Sequence, residues 1–153
     1  MSCKKATIEV SLNDNYKNKY SVKYGKLSDM FYEYYVGSLV KKAYYINNYI
    51  NGVCYWYHNE NIYEEIRYIN GVKYGLAICY FDNGNIRTQH YFIKNMMNGE
   101  CISNEYGMST KDYSISDEQN GYVFKYYRSG VLYSWYYYID GYEIFNKNYD
   151  EAF

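Results

Sequence analysis

Between positions 80 and 93 the chain reads Tyr-Phe-Asp-Asn-Gly-Asn-Ile-Arg-Thr-Gln-His-Tyr-Phe-Ile. Two β-prone runs flank an Asn-Gly pair, the pattern of two strands joined by a tight turn. Asn83 and Gly84 accept positive φ at little steric cost, so they predict a two-residue turn. The same grammar predicts strands over 30–35, 39–46, 54–57, 62–69, 76–81 and 86–93. Nearer the N-terminus Ala6, Ile8, Val10 and Leu12 alternate with polar residues, and Tyr20, Val22 and Tyr24 alternate again. Asn13-Asp14-Asn15 lies between those runs as a turn cluster, so a further hairpin is expected there.

The hairpins recur. Gly37, Glu60, Gly84, Gly107 and Gly130 stand 23, 24, 23 and 23 residues apart. Two places after each anchor come Leu39, Ile62, Ile86, Ser109 and Leu132. Eight places after it come Tyr45, Tyr68, Phe92, Ile115 and Tyr138, and nine places after it Ile46, Ile69, Ile93, Ser116 and Ile139. Eleven places after it a second turn is expected, at Asn48, Gly71, Asn95, Glu118 and Gly141, and Gly52, Gly75, Gly99 and Gly121 open the next units. A fixed period with turns and apolar sites in register signals stacked repeats. The expected fold is all-β: an elongated antiparallel meander sheet of about six hairpins, roughly 55–60 Å long. Residues 1–24 are read as a degenerate hairpin or cap, 25–141 as the repeats, and 142–153 as a capping tail. That tail would be a strand and loop or a short helix. Glu60 in place of a turn glycine and Ser109 and Ser116 in place of aliphatic residues mark the second and fourth units as irregular.

The units resemble MORN repeats (membrane occupation and recognition nexus). The likeness rests on Gly75-Leu-Ala-Ile-Cys-Tyr-Phe-Asp-Asn-Gly84-Asn-Ile86 followed by Tyr91, and on Gly121-Tyr-Val-Phe-Lys-Tyr126-Tyr127-Arg-Ser-Gly130-Val-Leu132 followed by Tyr137 and Gly141. It covers about residues 25 to 145. It is nearest to the shorter variant found in antitoxin-like bacterial proteins and in giant DNA viruses of amoebae. The resemblance implies a non-catalytic scaffold or adaptor that binds proteins in a cytoplasm, host cytoplasm or virion. It also implies two alternatives: an antitoxin-like immunity protein that blocks a toxin by contact, and a peripheral phospholipid-binding module.

Composition narrows the field. The chain has 153 residues, one domain's worth, with 27 tyrosines and no proline. Leu and Ala are scarce, which disfavours a helical core, and Tyr suits a thin sheet whose rings stay half wet. The net charge of −1 argues against a general grip on nucleic acid or on anionic lipid. Four cysteines without a Cys-x-x-Cys pair and without a leader segment read as reduced thiols inside a cell. No apolar run approaches the roughly 20 residues needed to span a bilayer.

Chemistry is sparse. Neither His58 nor His90 sits in a ligand pattern, and both are read as surface side chains. Cys54, Cys79 and Cys101 follow unit-opening glycines and are read as small apolar residues rather than zinc ligands. No nucleophile elbow, phosphate loop or His-Glu-x-x-His motif is present, so no catalytic residue, metal or cofactor is expected. The expected working surface is the row seven places after each anchor: Tyr44, Arg67, Tyr91, Ser114 and Tyr137. It tolerates Arg and Ser, which marks an open position, and Tyr and Arg are the residues of binding hot spots. Tyr44, Arg67, Tyr91 and Tyr137 are therefore the candidate partner face, and the turns at Gly37, Gly84, Gly107 and Gly130 set their spacing. Pairing of two copies through a terminal strand edge is a further expectation. Residues 100–121 carry Glu100, Glu105, Asp112, Asp117 and Glu118 against Lys111, read either as a frayed unit or as an acidic patch.

Overall fold

The computed structural model describes residues 6–105 and 107–149. Its strands are β1 (Ala6–Ser11), β2 (Tyr16–Lys23), β3 (Lys26–Tyr35), β4 (Ser38–Ile46), β5 (Tyr49–Ile50), β6 (Gly52–His58), β7 (Asn61–Ile69) and β8 (Val72–Tyr80). They continue as β9 (Ile86–Ile93), β10 (Met96–Met97), β11 (Gly99–Glu105), β12 (Met108–Ile115), β13 (Glu118–Gln119), β14 (Gly121–Tyr126), β15 (Leu132–Ile139) and β16 (Tyr142–Asn148). All sixteen belong to one sheet, and every long strand pairs antiparallel with the next long strand in the chain. The two-residue strands β5, β10 and β13 pair back on β4, β9 and β12. The fold is an open, all-β hairpin meander, with no helix among the described residues. The N-terminal hairpin lies in the plane of the sheet, since β2 pairs with both β1 and β3. Of the expected tail, 142–148 form the edge strand β16; residues 150–153, with Phe153, lie outside the described residues.

Two kinds of turn alternate along the ribbon. The second turns have positive φ at both central residues, as at Asn47 and Asn48 (51° and 74°) or Lys94 and Asn95 (52° and 72°), which matches the twist of the flanking strands. They are stitched together: the N–H of Asn48 donates to the Leu27 carbonyl at 2.9 Å, and the Asn48 side-chain oxygen accepts from the Leu27 N–H at 2.6 Å. Asn95 does the same with Lys73, and Asp117 with Met97. Each of these short polar residues thus supplies both the left-handed turn and the link to the preceding unit.

The first turns differ. Val36-Gly37 and Asn59-Glu60 are two-residue turns with positive φ throughout, and Glu60 adopts 66° where its sister positions hold glycine. Asn83-Gly84 departs from expectation. Only Gly84 has positive φ (82°), and the Phe81 N–H donates to the Asn85 carbonyl at 2.9 Å. The loop is therefore the three residues 82–84, and its left-handed glycine closes it. The same loop recurs at Gly130, where Tyr127 N–H donates to Val131.

A β-bulge then follows three places after the anchor. Val40, Tyr63, Arg87 and Tyr133 are each the extra residue at a register shift between the two strands of their hairpin. The fourth unit has no bulge: β11 and β12 pair without interruption from Gly99↔Ser114 to Glu105↔Met108. A bulge adds one residue to one strand only, so from that point the fourth unit runs one residue ahead. Its second turn is Ser116-Asp117 (φ 53° and 71°), not a turn at Glu118. Ser114, not Ile115, is the equivalent of Tyr45, Tyr68, Phe92 and Tyr138, because it faces the unit-opening Gly99 as Tyr68 faces Gly52, Phe92 faces Gly75 and Tyr138 faces Gly121. Ile115 ends its strand as Ile46, Ile69, Ile93 and Ile139 end theirs. The aliphatic site expected to be lost at Ser116 is therefore kept. The fourth hairpin is not frayed; it is one residue shorter.

Most of the core is a crosswise row on one face, with Ile78 buried on the other. Strand registers place Ala43, Cys54, Ile66, Ala77, His90, Cys101, Asp112 and Val123 side by side on successive strands. Ala43 and Cys54 are fully buried, and Ile66, Ala77, Cys101 and Val123 nearly so. The small side chains of Ala43, Cys54, Ala77 and Cys101 are interspersed along it with Ile66 and His90, and Tyr45 and Tyr68 follow two places on from Ala43 and Ile66 on the same face.

Candidate functional site

Alternation along each strand sends the neighbours of the buried row to the other face. There the candidate row appears as a series of cross-strand pairs: Met30 with Tyr44, Val53 with Arg67, Leu76 with Tyr91, Glu100 with Tyr113, and Tyr122 with Tyr137. The row repeats every second strand, roughly every 10 Å. Tyr44, Arg67 and Tyr91 are exposed. Tyr137 is half-buried, because the Tyr122 ring lies 5.0 Å from its own. The Arg67 stem crosses the backbone of Gly75, where a Cβ would come within 3.1 Å of its Cδ. A glycine there leaves room for the arginine to lie flat along the sheet.

The fourth member is not Ser114. Ser114 is buried on the opposite face, and its hydroxyl lies 3.7 Å from the Cys101 sulfur. The missing bulge puts Tyr113 into the row instead, 46 % exposed. The signal lay in a tyrosine one place upstream of the counted position. It shows only when the fourth unit is allowed to be a residue short. The anchors Gly37, Gly84, Gly107 and Gly130 all have positive φ, between 79° and 84°.

The opposite face carries the thiols and His90. His90 is half-buried beside Ala77, and its Nδ1 is buried without a hydrogen-bond partner, so it is not the surface side chain expected. His90, Cys101 and Asp112 stand in register on three neighbouring strands. Burial pushes the Cys101 thiol up, and that of Cys54 up to about 11. Both thiols are held protonated, the reverse of an activated nucleophile. Asp112 is engaged by Gln119 at 2.8 Å. Among the described residues no group of three His, Cys, Asp or Glu side chains could hold a metal ion, and none of the cysteines is in a disulfide. His58 ends β6 at the first-turn edge and is exposed.

The acidic residues of the fourth unit do not form one patch. Glu105 is paired with Arg87 at 2.8 Å, Asp117 caps the Met97 N–H, and Asp112 and Glu100 occupy opposite faces.

No family model matches the chain, and no curated protein matches it. Among solved structures, similarity is found to a mutant of TarM from S. aureus in complex with Fondaparinux, alpha-GlcNAc-glycerol and UDP. That match has 11% identity over 93% of this chain and 21% of the other, with a TM-score of 0.31. A second structure of TarM matches at 9% identity over 83% of this chain and 20% of the other, with a TM-score of 0.27. The chain spans about a fifth of the length of those chains. Likeness at this level carries no argument about fold or function.

Proposed function

We propose that the chain is a non-catalytic protein-interaction module built from MORN-like repeats, acting as a scaffold or adaptor inside a cell. One observation carries the reading: Tyr44, Arg67, Tyr91, Tyr113 and Tyr137 form a row on one face of the sheet at even spacing. Tyrosine presents a large contact area at the cost of two side-chain torsions, and an arginine stem laid flat on glycine is held in place before binding. The row suits a long partner surface rather than a point contact.

The test is capture of the partner from the native cell, compared with a variant carrying Tyr44→Ser, Arg67→Ser, Tyr91→Ser, Tyr113→Ser and Tyr137→Ser. The variant is expected to lose the partner while keeping its strand circular dichroism. Single substitutions at the central positions are expected to weaken binding roughly tenfold each, in the range of hot-spot residues. A folded variant that still captures the same partner would refute this choice of face.

A further inference from the structure

The fourth hairpin leaves a notch in the first-turn edge of the ribbon. Its turn has two central residues, since Glu105 pairs with Met108, whereas the loops on either side close around three, at 82–84 and 128–130. Between these two longer loops lies an open groove of about 770 Å³. Phe81 stands on one wall and Tyr127 and Arg128 on the other, with Ser109, Lys111 and Tyr126 along the floor. The Arg128 stem reaches over the short turn: a Cβ on Gly107 would come 3.5 Å from its Cδ. Four strands separate the two loops, so the groove runs roughly 20–24 Å across the sheet, the length of six or seven extended residues.

Its charge is opposite to that of the unit around it. Lys111 and Arg128 line it, and none of the lining residues is a carboxylate. Of the acids nearby, Glu105 binds Arg87 and Asp112 lies on the other face with Gln119, while Asp82 in the bounding loop and Glu100 on the same face, nearer the tyrosine row, stand outside the lining.

We propose that this groove takes an extended acidic segment of a protein partner, its carboxylates on Lys111 and Arg128 and an aromatic side chain against Tyr126 and Tyr127. The proposal rests on the protein-partner reading above and names the chemistry of one contact. The groove shares the face of the tyrosine row, toward its opposite edge, so one partner can span both.

Fluorescence polarisation with a labelled hexapeptide of alternating glutamate and tyrosine tests it, with serine and lysine counterparts in place of glutamate. The glutamate peptide is expected to bind, and to bind several-fold more weakly when salt is raised from about 50 to about 300 mM. Lys111→Ser with Arg128→Ser is expected to weaken it about tenfold. Ser109→Trp, which fills the floor and leaves both charges, is expected to weaken it similarly, while Lys73→Ser on the other face changes nothing. No binding of the glutamate peptide, equal binding of the serine peptide, or binding indifferent to the groove variants would overturn the proposal. Partner capture separates the two ideas: if the groove variants keep the native partner and the five-site row variant loses it, the groove assignment falls and the interaction face stands.

Discussion

At the scale of single residues, burial turns a thiol of the core row and a phenol beside it into groups that resist ionisation. Cys54 is pushed up to about 11 by burial, against an unburied 9.0. Tyr68 is pushed up to about 12, first by burial and then by the neighbouring Cys54 and Glu64, against 10.0. For both, the folded state favours the protonated form. Above pH 9 the unfolded thiol loses its proton while the folded one keeps it, so the unfolded state binds fewer protons and stability falls with rising pH. The contribution of Cys54 is whole below about 9 and lost toward 11, and that of Tyr68 is lost between 10 and 12. Thermal unfolding is expected to show a falling midpoint between about pH 9 and about pH 11, and a smaller fall in Cys54→Ala, which removes the thiol. An identical fall in that variant would mean that the thiol is not shielded as the structure places it.

At the scale of the hairpin, glycine, asparagine and β-branched residues mark the long strands and most turns locally, so these are legible in the sequence, while the two-residue strands β5, β10 and β13 are not. The bulge is not legible either. Val40, Tyr63, Arg87 and Tyr133 are one valine, one arginine and two of the chain's 27 tyrosines, so nothing in the residues themselves marks an extra one. Its absence beside Thr110 is equally silent. Spacing between anchors hides it as well, since the residue missing after Gly107 is recovered before the next anchor. One unmarked residue therefore moves the candidate row from Ser114 to Tyr113 and turns the apparent loss of the aliphatic site at Ser116 into a phase shift. The three-residue loop at Gly84 escaped for a related reason: Asn-Gly suits either turn, and the strand register decides between them. Glu60 is the opposite case, where the residue departs from the pattern and the backbone does not. Its φ of 66° is the conformation its sister glycines adopt freely. For a residue with a Cβ this costs about 1–2 kcal/mol, partly offset by the greater freedom of an unfolded glycine. Glu60→Gly is expected to raise stability by roughly 0.5–1 kcal/mol, read as a higher denaturant midpoint at constant slope. An unchanged or lower midpoint would show that the turn holds glutamate without strain.

At the scale of the whole molecule, every long strand pairs only with its neighbours in the chain, so stability is largely a sum of local terms passed along the ribbon. Burial is concentrated from β4 to β8, where Ala43, Cys54, Ile66, Ala77 and Ile78 lie, and it fades at the C-terminal edge, where all seven residues of β16 are exposed. The two tryptophans report on these regions separately. Trp56 sits in β6 beside the fully buried Cys54, with the Lys41 ammonium 5.6 Å from its ring. Trp135 sits in β15, its ring 5.2 Å from Phe145 of the edge strand and its Nε1 donating to the Tyr149 hydroxyl at 3.3 Å. Seven strand spacings separate them, roughly 34 Å. A globular core would couple such sites into one transition; a ribbon with nearest-neighbour contacts lets its weak end open first. Denaturant unfolding followed by fluorescence in the single-tryptophan variants Trp56→Phe and Trp135→Phe is therefore expected to give two midpoints. The variant that keeps Trp135 should unfold at the lower denaturant concentration, and circular dichroism should span both. Coincident midpoints would show that the interfaces between hairpins are strong enough to bind the ribbon into one cooperative unit, and that the exposed edge strand is held as firmly as the buried centre.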